Sequence, residues 1–413
     1  MNEAASPQSA PVRASALLRR AHGVAFWRRS TPAAPEKLFR QVRDEAIDLP
    51  YRPDVDGLRG IAVLAVVAFH ANFYQVSGGF TGVDVFFVIS GFLITGIISR
   101  DLATGRFTLI HFYERRVRRI LPALFAMLAG MTLLSLLLSS PLRLHQLGRA
   151  LLYNAFFGTN FLFAGATSYF DQGSVGQPLL HTWSLSVEEQ YYFLYPTIVA
   201  LLFVRKKPLV AFLLVGIAAS LAFSEWQVHH SPRAGFYGTP SRAWELFAGG
   251  LLAGRKLPQI HSRVVLEFIA LCGMLAIAAV FFGFSPSTSF PGLHALLPVL
   301  GAFAVIYAGG CGKTLVNRAL ALRPIVWVGL ISYSLYLWHW PLLMVLRDLF
   351  GDAVQRRYVI ACILLSVLIA WASFLFVEVP VRRRTVLGTR RQVFTFAAIG
   401  LASLLGLGAW LSS

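Results

Sequence analysis

The stretch "GLRGIAVLAVVAFHANF", Gly57 to Phe73, decides how the chain is read. It is apolar enough to enter a bilayer, yet it opens on Arg59 and carries His70 in its second half. Charged and titratable groups are costly in hydrocarbon and face a protein interior or a wet cavity. The rest of the sequence has the same character. Of 413 residues, 56% are hydrophobic and only 14% charged, and the mean hydropathy is +0.63. That balance excludes an ordinary soluble domain and implies an integral membrane protein with several crossings. The net charge of +18 does not call for nucleic acid, because the basic residues sit in short clusters between apolar runs. That is the positive-inside pattern of a polytopic protein. Cys272, Cys311 and Cys362 lie far apart and support neither a disulfide framework nor a metal site.

A helix needs about twenty apolar residues to cross a bilayer. Candidate windows are 60–76, 80–99, 120–139, 187–204, 208–224, 242–254, 264–284, 293–309, 326–347, 357–377 and 392–411. The expected fold is therefore all-α, a bundle of about eleven transmembrane helices. With the N-terminus inside, the basic loops at 111–122, 205–208, 255–263, 311–324 and 381–391 all fall on the cytoplasmic side, and the C-terminus lies outside. A further apolar stretch, 147–163, is interrupted by Asn154, Gly158 and Asn160, and a full crossing there would reverse the later loops. It is expected to be re-entrant or superficial within a long outer loop. Residues 1–50 offer no signal-peptide core and read as a basic cytoplasmic tail; "SALLRRAHGVAFWRR" within it suits either a helix on anionic lipid or a disordered segment.

The polar residues of the spans sort by depth. Arg59 and His70 are eleven positions apart, which puts them within roughly 20° around a helix axis and ~16 Å apart along it. Asp84 in "GGFTGVDVFFVISGFLIT" comes to the depth of His70 if the first two spans form a hairpin. It would then orient the imidazole as a general base, or else meet a basic residue elsewhere. "HFYERRVRRILP" packs Arg115, Arg116, Arg118 and Arg119 together, as positive-inside bias or as a cradle for a phosphorylated ligand. In "HTWSLSVEEQYYFLYP", Ser186 and Glu189 have the spacing of a capping box, leaving His181 and Glu188 as outer polar candidates. Arg242 and Glu245 in "SRAWELFAGG" stand one turn apart and are expected to pair. "ISYSLYLWHWP" places His339 near mid-membrane among Tyr333, Tyr336, Trp338 and Trp340. Glu378 in "FVEVPVRRR" is expected to bridge locally to the arginines after it. The cations thus gather at the inner mouth and the titratable groups in the outer half, which suits an anionic ligand from the cytoplasm and acid–base work near the outer face.

In order and spacing these segments, from "YRPDVDGLRGIAVLAVVAFH" to "FVEVPVRR", resemble the membrane acyltransferase-3 family of bacterial O-acyltransferases over residues 51–384. The resemblance implies a ten-helix acyltransferase domain at 51–384, an extra C-terminal helix at 385–413, and a multi-pass place in the bacterial inner membrane. It implies an acyl-CoA donor, usually acetyl-CoA, and an acceptor hydroxyl on a cell-surface or lipid-linked glycan, with no metal. The family's Arg-x10-His signature falls on Arg59 and His70, making His70 the expected catalytic base with Asp84 and Glu188 beside it. Its Arg-x-x-Arg signature is laid on Arg116 and Arg119, implying that the inner arginines hold CoA. His181, Arg242, Glu245, Tyr333 and His339 are then expected around the substrate pocket. "HTWSLSVEEQYYF" most resembles the polysaccharide and peptidoglycan O-acetyltransferase branch, many of whose members continue from the extra helix into an outer SGNH-type esterase domain. This sequence stops at Ser413, so the expectation is either a stand-alone form, with a separate periplasmic protein of that type as a partner, or a truncation of a longer chain. The competing expectations are a transporter of acyl groups or lipid-linked sugars, and an O-acyltransferase of a small metabolite.

Overall fold

The computed structural model describes residues 51–413 except 167–168, 171–175, 254–256 and 352–353. The basic tail, residues 1–50, expected to carry either a lipid-surface helix or a disordered segment, lies outside the described residues. Those described form an all-α membrane bundle without strands. The helices are α1 (Pro53–His70), α2 (Gly82–Ala103), α3 (Leu109–Leu138), α4 (Pro141–Ala155), α5 (Thr159–Ala166), α6 (Thr182–Val204), α7 (Leu209–His230), α8 (Pro232–Tyr237) and α9 (Thr239–Ala253). They continue as α10 (Arg263–Gly283), α11 (Leu296–Cys311), α12 (Leu315–Leu320), α13 (Arg323–Phe350), α14 (Arg356–Ser373) and α15 (Arg390–Ser412). A π-helical turn, Phe374–Glu378, and a last turn, Val379–Arg382, prolong α14.

Among the described residues, eight helices are long and apolar enough to cross a membrane. The three expected spans outside that set are α1, α6 and α9. They are the ones that carry Arg59, Glu188, Arg242 and Glu245. α9, at 15 residues, is too short to cross alone, whereas α1 and α6 carry charged residues on faces covered by other helices, where a span need not be apolar all round. The 147–163 stretch is divided between two short helices, α4 and α5, that break at 156–158. α4 packs on α15, with Gly148 and Gly408 at the crossing.

Two close crossings hold the polar helices in register. A Cβ on Gly329 of α13 would lie 1.8 Å from the Asp56 carbonyl of α1, and one on Gly60 would lie 2.6 Å from the Ile325 carbonyl. The same lock joins α2 to α9: a Cβ on Gly91 would lie 1.8 Å from the Leu246 carbonyl, and one on Gly249 would lie 1.9 Å from that of Val88. Small residues let helix backbones touch where hydrocarbon offers no hydrophobic drive to association. The first lock brings the histidine of α1 beside the histidine of α13. The second brings the carboxylate of α2 beside the arginine of α9.

Candidate active site

α1 is helical from Pro53 to His70, so the expected common face of Arg59 and His70 is real. Arg59 lies near an intrahelical carboxylate, Asp56, at 3.6 Å. His70 closes the helix and is buried among aromatic rings, with Trp340 edge-on at 4.7 Å. Its Nδ1 is 2.8 Å from His339 Nε2, and the two rings lie almost parallel, 13° apart. Its Nε2 is 2.5 Å from the hydroxyl of Tyr169. Tyr169 belongs to the segment between α5 and α6, outside the spans, where burial holds its phenol well above the ordinary tyrosine value and so keeps it a neutral donor. His339 Nδ1 donates to the Leu335 carbonyl one turn back in α13, at 3.0 Å. His181 completes a three-histidine cluster, its ring 5.8 Å from that of His339.

Asp84 stands elsewhere. Its Oδ1 is 3.2 Å from Arg242 Nη1, which also reaches Glu245 Oε1 at 3.1 Å. All three side chains are at most 1% exposed. Phe87, Trp183, Phe236 and Phe290 surround the guanidinium. The Arg242–Glu245 pair is as expected, but the pairing of Asp84 with His70 is replaced by an α2–α9 ion cluster. The reason is electrostatic: a buried carboxylate gains far more from a fixed cation than from a neutral imidazole.

A cavity of about 100 Å³ opens between α1, α2, α3, α6 and α13. Arg59, Arg116 and Arg119 line one part of it; Ser184 and Tyr336 line another. The Tyr336 hydroxyl donates to the His181 carbonyl at 2.7 Å and pairs with Ser184 Oγ at 2.6 Å. Tyr336 is also one helical turn from His339. The cavity therefore reaches from the arginines to the wall of the histidine cluster. Glu188 lines it and accepts from Ser90 Oγ. Tyr333 lines it too, its hydroxyl donating to the Ile120 carbonyl at 2.9 Å.

The helix sorts the four clustered arginines. Positions 116 and 119 share a face one turn apart and meet the cavity, while 115 and 118 point away. Arg115 pairs with Asp101. Arg118 is bound to Glu114 at 3.0 Å and to the Leu387 carbonyl, clamping α3 against the segment before α15. Arg115 and Arg118, both expected to hold the donor, are thus committed to structural partners. One smaller expectation is also corrected. α6 begins at Thr182, four residues before Ser186, so Ser186 and Glu189 are interior and form no capping box; Ser186 Oγ bonds Thr159 instead. Glu378 lies near Arg382, as expected, and also takes a hydrogen bond from Ser334 Oγ across the helix pair, at 2.6 Å.

Ser90 and Tyr169 escaped the reading of the sequence. A serine in an apolar helix and a tyrosine in a connecting segment carry no periodic or charge signal; only their contacts make them notable.

A sequence model of the acyltransferase domain family matches residues 52–375. The chain belongs to this acyltransferase family. Its relatives include the O-acetyltransferase OatA of Staphylococcus aureus, 31% identical over 354 residues, which cover 81% of this chain and 58% of the relative. The peptidoglycan O-acetyltransferase OatA of Listeria monocytogenes is 30% identical over 353 residues, covering 81% of this chain and 56% of the relative. The chain thus spans less than three fifths of the length of these curated relatives. No solved structure matches it.

Proposed function

We propose that this acyltransferase is a membrane O-acetyltransferase that moves an acetyl group from acetyl-CoA on the cytoplasmic side to a hydroxyl of a cell-envelope glycan on the outer side. The observation that carries the reading is the cavity shared by the three arginines and the wall of the histidine cluster. The printed activity of the two relatives, O-acetylation, supports the choice of acyl group, and peptidoglycan in the name of one supports a glycan acceptor.

In this reading Arg59, Arg116 and Arg119 hold the phosphates of CoA, because guanidinium pairs bidentately with phosphate. Ser90, Ser184 and Tyr336 offer hydroxyls along the passage for the donor's arm. His70 removes the proton of the acceptor hydroxyl as its oxygen attacks the thioester carbonyl. The new C–O bond forms, the C–S bond breaks, and the proton passes to the departing thiolate. Asp84, Arg242 and Glu245 hold the fold behind this passage.

The test uses the full chain in proteoliposomes, with radiolabelled acetyl-CoA and a peptidoglycan-derived oligosaccharide. Label is expected on the oligosaccharide with wild type and not with His70→Ala. Equal labelling by both would remove His70 from the chemistry, and no labelling by wild type would overturn the acceptor class.

A further inference from the structure

We infer that His339 is a positioning residue: it fixes the tautomer of His70 so that Nε2 is the basic nitrogen, and the acceptor hydroxyl must arrive where the Tyr169 hydroxyl now stands. The inference rests on the reading of His70 as the base.

The argument begins at a group that has no choice. The Leu335 carbonyl can only accept, so His339 Nδ1, 3.0 Å away, carries a hydrogen. A neutral imidazole protonated at Nδ1 has its lone pair on Nε2. His70 Nδ1 lies 2.8 Å from that lone pair and must donate to it. The lone pair of His70 is then on Nε2, where the Tyr169 hydroxyl donates at 2.5 Å. The opposite tautomer of His70 would set two lone pairs against each other at 2.8 Å, with no water to separate them, since His70 is 5% exposed and His339 0%. A cationic His339 would reverse the chain, but the rings around it are neutral, those of His70, His181 and Tyr336. Close by, the Arg347 guanidinium already donates to the His70 carbonyl and disfavours a second cation.

This direction has a consequence for the reaction. When His70 takes the hydroxyl proton at Nε2 it becomes an imidazolium. Its Nδ1–H then makes a charge-assisted bond to His339 Nε2, which strengthens as the charge develops. His339 thus does for His70 what a carboxylate does in a hydrolase triad, but without an ion in the resting site.

Two measurements test it. Solid-state nitrogen NMR of histidine-labelled wild type, with the His70 signals identified by their loss in His70→Gln, should show His70 protonated at Nδ1 and bare at Nε2. A proton on Nε2 overturns the inference whatever the variants do. In the proteoliposome assay, His339→Leu should lower kcat by ~10²-fold with KM for acetyl-CoA within about twofold of wild type. His339→Gln, whose amide oxygen can accept where Nε2 stood, should recover at least tenfold of that loss, which a mere packing role would not predict. Wild-type kcat in His339→Leu, or Gln no better than Leu, sinks the inference. Full activity of His70→Ala is a different result, since it removes the underlying reading instead.

Discussion

The bundle buries two polar clusters, and they are built differently. Around Arg242 the groups are ionisable and of opposite sign: Asp84 and Glu245 share one guanidinium inside a ring of aromatics. Around His70 the partners are neutral, a second imidazole and a phenol, and the cluster adjoins a cavity through Tyr336. Both sets of residues are buried, so burial does not tell the two clusters apart. The partner set does. Asp84, Arg242 and Glu245 are enclosed by aromatics and do not line the cavity, whereas a hydrogen-bonded chain ending in a lone pair can exchange its last donor for a substrate hydroxyl.

The largest effect is expected at the open end. His70→Ala should lower acetyl transfer by at least ~10²-fold, while thermal unfolding of the detergent-solubilised protein stays within a few degrees of wild type. A stability loss as large as the activity loss would erase the contrast with the ion cluster. Arg242→Met should do the reverse, leaving two buried carboxylates without a cation at a cost of about 3–5 kcal/mol. Fluorescence size-exclusion should show aggregated or degraded protein, and adding Asp84→Asn with Glu245→Gln should restore a monodisperse peak. A well-folded but inactive Arg242→Met would move that cluster into the site.

The arginine helix offers the same comparison on a smaller scale. Arg119→Gln should raise KM for acetyl-CoA about tenfold, the loss of roughly one charge-assisted contact, with kcat little changed. Arg118→Gln should leave KM alone and lower the unfolding temperature, because it frees the Leu387 carbonyl and leaves buried Glu114 only its half-exposed partners Arg384 and Arg390. Arg115→Gln, which gives up only a partly exposed pair with Asp101, should cost no more than about 1 kcal/mol of stability. If all four arginines changed KM alike, the sorting by helix face would be wrong.

Much of this was legible beforehand, for identifiable reasons. The spans were readable because hydrocarbon demands a run of apolar residues, and the shared face of Arg59 and His70 because helical periodicity is local. The Arg242–Glu245 pair was readable as an i,i+3 contact. The choice between His70 and a basic residue elsewhere as the partner of Asp84 is not legible in the sequence, because that partner, Arg242, lies on a helix more than 150 positions away. The supposed capping box failed because α6 starts a full turn earlier than its apolar run, with Thr182 to Ser186 buried against α5 and α13 rather than meeting lipid. Arg115 and Arg118 could not be told from Arg116 and Arg119 by charge alone.

By itself, then, the sequence determined an all-α membrane bundle, its family, and the helices on which its polar residues ride, since these follow from composition, local periodicity and motif spacing. Tertiary structure decided which of those residues meet. Glycine crossings between α1 and α13, and between α2 and α9, choose the neighbour of each buried polar group. In a low-dielectric interior that neighbour settles whether the group joins an ion cluster or a neutral hydrogen-bonded chain.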